Sequence, residues 1–385
     1  MIKKLFFLVL FLKLTVLLLI FLGFNLLPFN SNTYSQNFLY SKGEKISLAS
    51  AYETWDAQHY LFLSQQGYKP NNQSDRFFPA LPFGIAVVNK FVNNPLIAGL
   101  ITSNIFSFLG IFYFFLFCRL LLKDEKQAFK SVLLLLAFPT AFFMSLVYSE
   151  SVLIFLTSAF FYYLYSKKYF WATIFVFFIP LARPVGILIV FPYYVYWLLD
   201  IWQRSKKDIA TFLVKFFKTK ETYYLLSPLL GFALYGLFMQ ITTGSFMEGF
   251  KTQGVVVSGW NISNIFDPIY FLVSLFSPSS FAIHGFTNSI VDRVFFLLYC
   301  VSLVIIYKRL DKTMFVYALM IGMVPLFGSF MSYTRYVLMV FPIFIVMGKI
   351  FAKKRYDLFF YPTLFFLLML QTLFIIMHSL NYWVA

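Results

Sequence analysis

Cysteine, histidine and charge are all scarce in this chain. Of 385 residues, two are Cys and three are His, and Asp, Glu, Lys and Arg together make up 12%. Cys118 and Cys300 both sit inside apolar runs, which excludes a disulfide framework and a cysteine-based metal site. The charged fraction is about half that of a soluble domain, so an ordinary soluble fold is excluded as well. Soluble-enzyme signatures are missing: there is no P-loop, no dinucleotide-binding glycine pattern, no nucleophile elbow and no HExxH zinc motif.

What fills the chain is hydrocarbon. It is 61% hydrophobic and 23% aromatic, and its apolar runs are continuous rather than alternating. Helices are therefore expected rather than a barrel, because within a bilayer a helix satisfies its own backbone. Spans are predicted at about 5–27, 95–118, 131–148, 151–166, 169–182, 186–199, 223–241, 292–307, 313–331, 336–351 and 357–378. The expected fold class is thus an all-α, polytopic transmembrane bundle of about eleven spans, one domain over residues 1–385. MIKKLFFLVLFLKLTVLLLIFLGFN has a basic start, a long apolar stretch and no small-residue cleavage site, and reads as a retained anchor.

The formal net charge of +16 would suggest nucleic acid in a soluble protein, but here its distribution reports orientation. With Lys3 and Lys4 in the cytoplasm, 21 of the 31 Lys and Arg residues fall in cytoplasmic segments and nine in external ones. Lys13 lies within the first span. Membrane lipids are the expected partner and nucleic acid is not. WQRSKKDIATFLVKFFKTKE suits a helix lying on an anionic leaflet. Two external loops are long, at about 28–94 and 242–291.

The chemistry gathers on the external side. In YETWDAQHY, Glu53, Asp56 and His59 recur every third residue, so in a helix they would share a face. Such carboxylates tune one another as proton acceptors, although the stretch equally suits a solvated interfacial helix. Arg76 stands beside the aromatics of DRFFPALPFG, a segment that two prolines keep from being continuous helix. Tyr148 and Glu150 form the tight external turn of FPTAFFMSLVYSES, where the carboxylate must reach water or a cation. Arg183 in LARPVG, and Arg335 with Tyr336 in SYTRY, are placed at external helix ends. Either arginine could snorkel to headgroups, while their shared depth suits an anionic ligand held by guanidinium forks. The spacing E-x-x-D-x-x-H could also ligate a metal, but His284 and His378 have no neighbouring ligands in sequence, and neither metal nor cofactor is expected.

The segments WDAQHYLFLSQQGY, FFPALP, FPTAFFMSLVYSES, LARPVG and TRYVLMVFPIF, in that order, resemble the PIG-V type mannosyltransferases. That class includes GPI mannosyltransferase 2 and belongs to the multi-spanning GT-C glycosyltransferases. The resemblance implies a GT-C-like fold, a polyprenyl- or dolichyl-phosphate sugar donor, and an acid of the first external loop at the reaction centre. Carried onto this chain, that acid is Asp56. Glu53, Arg76 and the loop from Thr242 are not covered by the motifs. A glycan or glycolipid acceptor follows, with inversion by analogy to glycosidase logic. The shorter loops suggest a prokaryotic cell membrane with an outward-facing site, or a lumenal site in an endoplasmic-reticulum membrane. Transporter, lipid flippase and non-catalytic scaffold are the alternative classes for such a chain.

Overall fold

The computed structural model describes residues 2–39, 45–256, 261–276, 282–283, 285 and 289–384. His284 lies outside the described residues. Helix dominates, and among the described residues β pairing is limited to one isolated bridge between Ala282 and Ser289.

Among the described residues, six helices are long and apolar enough to cross a bilayer: Ile2–Leu26, Pro95–Leu122, Pro184–Arg204, Lys220–Thr243, Ile290–Arg309 and Lys354–Ser379. Tyr333–Met339 and Pro342–Phe351, bent by 67° at their junction, make a seventh if counted as one broken span. The expected eleven is not reached by this count, because several apolar segments form short helices. Glu150–Tyr165 has 16 residues and Tyr169–Ala182 has 14. At 1.5 Å per residue these reach about 24 and 21 Å, less than the ~30 Å of a hydrocarbon core. The segment expected at 131–148 stops being helical after Ala137, where Phe138 before Pro139 turns extended (φ −60°, ψ 139°) and a 3-10 turn, Ala141–Ser145, follows. The shortened ends meet: Glu150 opens one helix, Arg183 closes another, and the two side chains are in contact.

Aromatic packing fixes these ends relative to one another. Phe114, Phe117, Phe161 and Phe341 are fully buried, with ring centroids 5.6–6.1 Å apart. Each such pair adds about 0.5–1.5 kcal/mol beyond area burial. Phe341 belongs to the break between the two halves of the bent pair, so this cluster joins Pro95–Leu122 and Glu150–Tyr165 to the segment that carries Arg335. Lys13 is also buried, and its Nζ donates to Ser107 Oγ at 2.8 Å and to the Met144 carbonyl at 3.3 Å. The cation of the first helix is thereby tied to the turn that leads into Tyr148 and Glu150.

Close helix approach depends on Gly110. A Cβ there would lie 3.0 Å from the Phe155 nitrogen and 3.2 Å from its Cα. Gly110→Val is expected to destabilise by about 1–3 kcal/mol, the usual range for overpacking. A lowered thermal midpoint in detergent checks this, and an unchanged midpoint counts against it. The basic stretch after Arg204 forms the helix Ile209–Lys218, capped by Asp208 and with Leu213 and Phe217 exposed.

Candidate active site

Asp56 is aimed by a strained turn. Trp55 adopts φ 56° and ψ −126°, and the Ala57 N–H donates to the Thr54 carbonyl at 3.2 Å. These are the dihedrals of the first central residue of a type II′ turn, a position normally given to glycine. A tryptophan there costs about 1–3 kcal/mol, which the surroundings must offset. They do so from the far end of the described chain: Thr54 Oγ1 donates to Asn381 Oδ1, and the Trp55 and Trp383 rings meet edge to face at 5.1 Å. Asp56 then begins the helix Asp56–Gln66.

The carboxylate meets a chain of alternating charge. Arg335 Nη1 donates to Asp56 Oδ2 at 2.7 Å, and Arg335 Nε donates to Glu150 Oε1 at 2.7 Å. Arg183 Nη1 donates to the same Glu150 oxygen at 2.5 Å. Four residues from four helices or helix ends thus form one ion-paired line. Glu150 is wholly buried, Arg335 nearly so, and the Asp56 side chain keeps 22% of its surface exposed. Aromatic faces complete the setting. The Arg335 guanidinium lies 4.7 Å from the Phe143 ring and 4.9 Å from Tyr148, and Arg183 lies 5.6 Å from Tyr336.

A cavity of about 330 Å³ opens over this line. Asp56, Arg76, Arg183, Arg335 and Tyr336 reach its wall, and Phe78, Leu188, Phe250 and Phe327 supply apolar surface. Counting buried Glu150, three guanidiniums face two carboxylates, which leaves one positive charge in excess. Burial by itself pushes the Asp56 carboxyl up, but Arg335, Arg76 and the hydrogen bond from Arg335 outweigh it and hold the group below its ordinary value. Asp56 is therefore a carboxylate with a guanidinium partner. Such a site can hold an anion and take up a proton.

The helical face expected to join Glu53, Asp56 and His59 does not form. Glu53 ends a separate helix, Leu48–Glu53, and the Trp55 turn separates it from Asp56. His59 keeps its place one turn beyond Asp56, but its ring stacks on Phe77 at 4.6 Å with Nδ1 2.8 Å from Ser74 Oγ. Burial, with a smaller contribution from Arg76, pushes its pKa down to about 3, so this imidazole stays neutral. Neither Glu53 nor His59 lines the cavity. Tyr148 lies beneath Arg335, its hydroxyl donating to the Thr54 carbonyl at 3.4 Å. Among the described residues, no three of His, Cys, Asp and Glu come together as metal ligands.

Two residues outside the expected site set stand out, Tyr60 and Asp75. Tyr60 lines the cavity and donates to Ser149 Oγ at 2.6 Å, and its place four residues after Asp56 was the available signal. Asp75, the neighbour of Arg76 in the sequence, is not among the expected site residues. It is fully buried, and burial pushes its carboxyl up to about 6. Because this lies above the unfolded value of 3.8, the folded protein binds more protons between the two values, and stability falls as pH rises through that window. Asp75→Asn is expected to flatten that slope. Melting midpoints at about pH 4.5 and 6.5 should converge in the variant, and an unchanged slope would assign the dependence elsewhere.

The family profile described as mannosyltransferase (PIG-V) matches residues 2–277. The chain belongs to the PIG-V mannosyltransferase family. Its long apolar helices make it a multi-pass integral membrane protein. Asp56, Glu150 and Arg183 lie inside the matched segment, and Arg335 lies beyond it. Comparison with curated proteins returns no match. Among solved structures, the Archaeoglobus fulgidus oligosaccharyltransferase tethered to an acceptor peptide containing the NVT sequon is similar at 12% identity and a TM-score of 0.46. AglB of the same organism, in complex with an inhibitory peptide and a dolichol-phosphate, is similar at 11% and 0.45. Both likenesses cover 97% of this chain and 55% of the other, so the chain spans about half the length of these structures.

Proposed function

We propose that this PIG-V family member transfers a mannosyl residue from a polyprenyl- or dolichyl-phosphate donor to a hydroxyl of a glycan or glycolipid, with inversion at the anomeric carbon. The observation that carries this reading is the arginine-rich cavity, with a single half-buried carboxylate at its wall and one positive charge in excess. A phosphodiester supplies the missing anion, and the apolar wall suits the isoprenoid tail.

The ion pair between Asp56 and Arg335 bears directly on the chemistry. A carboxylate held by a guanidinium is a weak base. The donor phosphate competes for the same fork, and as Arg335 and Arg183 turn to it, Asp56 loses its strongest partner and gains basicity. The acceptor hydroxyl oxygen then attacks the anomeric carbon as its proton passes to Asp56. The bond from that carbon to the phosphate oxygen breaks, and polyprenyl phosphate departs as an anion steadied by the arginines. A positioned base contributes about 10² to 10⁴ in rate, and each preorganised donor at developing charge about 10² to 10³. Glu150 keeps the two guanidiniums together without entering the reaction.

The charge bias across the segments supports a cavity on the non-cytoplasmic side, in a prokaryotic cell membrane or facing the lumen of the endoplasmic reticulum. The eleven-crossing arrangement belongs to this reading, with the short helices as crossings that stop beneath the outer surface. The test uses purified protein in nanodiscs containing membrane lipid extract and polyprenyl phosphate [³H]mannose. Label is expected to leave the carrier and enter a second product. Label that stays on the carrier while crossing between leaflets of proteoliposomes would instead make the protein a transporter.

A further inference from the structure

Arg335 rides on a helix of only seven residues, Tyr333–Met339. A helix this short does not hold its shape alone. Its N-cap residue, Ser332, is in the left-handed region (φ 58°, ψ 27°) and its side chain makes no capping hydrogen bond. The cap comes from another helix. Asp292, in the first turn of Ile290–Arg309, is wholly buried, and its Oδ1 accepts from the Thr334 N–H at 2.8 Å and from the Thr334 hydroxyl at 2.7 Å. From a different direction Thr140 Oγ1 donates to the Thr334 carbonyl at 3.2 Å. Every polar group of Thr334 is thus engaged, one residue before the guanidinium that bridges Asp56 and Glu150.

Asp292 is itself held in place. Its N–H donates to Ser289 Oγ at 3.1 Å. Its neighbour Arg293 donates to the carbonyls of Ser274, Leu275 and Ser289 at 2.7, 3.0 and 3.0 Å. Asp292 does not line the cavity and lies beyond the segment matched by the family profile.

We propose that Asp292 is a positioning residue for glycosyl transfer, capping the short helix that carries Arg335 and so fixing where the guanidinium stands. The proposal rests on the reading that Arg335 serves the donor phosphate. What Asp292 provides is an acceptor oxygen at one point in space. A misplacement of about 1 Å in such a group can cost roughly 10²-fold in rate.

The experiment measures release of label from polyprenyl phosphate [³H]mannose in nanodiscs containing membrane lipid extract, for Asp292→Leu, Asp292→Asn, Thr334→Val and Asp56→Asn. Asp292→Leu removes the acceptor while keeping the same branched skeleton, and is expected to lower kcat about 10²-fold. Asp292→Asn keeps a carbonyl oxygen for both donors and is expected to recover most of that loss. Equal losses in the two variants would make the charge, not the cap, responsible and would overturn the proposal. So would Asp292→Leu turning over within about twofold of the parent, a difference too small for a displaced guanidinium. Should Asp292→Leu fail to fold, Thr334→Val decides: it deletes one of the two donors, and kcat is expected to fall about tenfold in a variant that still melts cooperatively, with its midpoint lowered by the one lost hydrogen bond. Unchanged kcat in Thr334→Val overturns the proposal. Asp56→Asn separates the two levels. If that variant turns over normally the functional reading itself fails, whereas an inactive Asp56→Asn beside an active Asp292→Leu removes only the positioning role.

Discussion

Asp56→Asn is expected to lower transfer at least about 10²-fold, the lower end of what a positioned general base contributes, without weakening the donor. The substitution keeps the side-chain shape, and its amide oxygen can still accept from Arg335. What disappears is the ability to take a proton and the negative charge that competes with phosphate for Arg335. Polyprenyl phosphate should therefore bind the variant as tightly as the parent, or more tightly, while label stays on the carrier. Turnover near the parental rate would remove Asp56 from the reaction. The parent carries a second signature. In the free enzyme Arg335 and Arg76 outweigh burial and depress the Asp56 pKa, so the acid limb of kcat/KM should lie below the ordinary carboxylate range. In the donor complex Arg335 is shared with phosphate, and the acid limb of kcat should lie at higher pH. Coincident limbs would argue against competition for the guanidinium.

Glu150→Ala is expected to destabilise the protein by about 3–5 kcal/mol, the range for removing one partner of a buried ion pair. Its carboxylate is wholly buried and accepts from both Arg183 and Arg335. Without it, two largely buried guanidiniums stand together with only Asp56 to balance them. The loss should appear as a large fall in the thermal midpoint. Polyprenyl phosphate should raise the midpoint of the variant more than that of the parent, since an anion in the cavity replaces part of the missing charge. A midpoint close to the parental one, or no difference in the response to polyprenyl phosphate, would mean that Glu150 does not hold the arginines together.

The residue types of this site were legible in the sequence, and their pairing was not. Arginines at external helix ends and an acid at a tight turn are visible from hydropathy and charge alone. Which arginine meets which acid depends on how helices pack, and Asp56 and Arg335 are 279 positions apart. The break between Glu53 and Asp56 left no trace because a tryptophan, unlike glycine, carries no turn signal. Asp292 was hidden for a different reason. A lone acid in the first turn of a helix looks like a cap for its own helix, yet this one caps a neighbour. The helix count diverged because hydropathy records where apolar residues lie, not where hydrogen bonding stops, although Pro139 marked one such stop.

The spacing of the ion-paired line has a consequence for biosynthesis. Glu150 and Arg183 are 33 positions apart and emerge from the ribosome almost together, so their pair can form within one newly inserted hairpin. Asp56 waits for Arg335 through a further 279 positions of translation. A product ending before Arg335 thus leaves Arg76 as the guanidinium that offsets the burial of Asp56, so the full charge balance of the line is reached only late in synthesis.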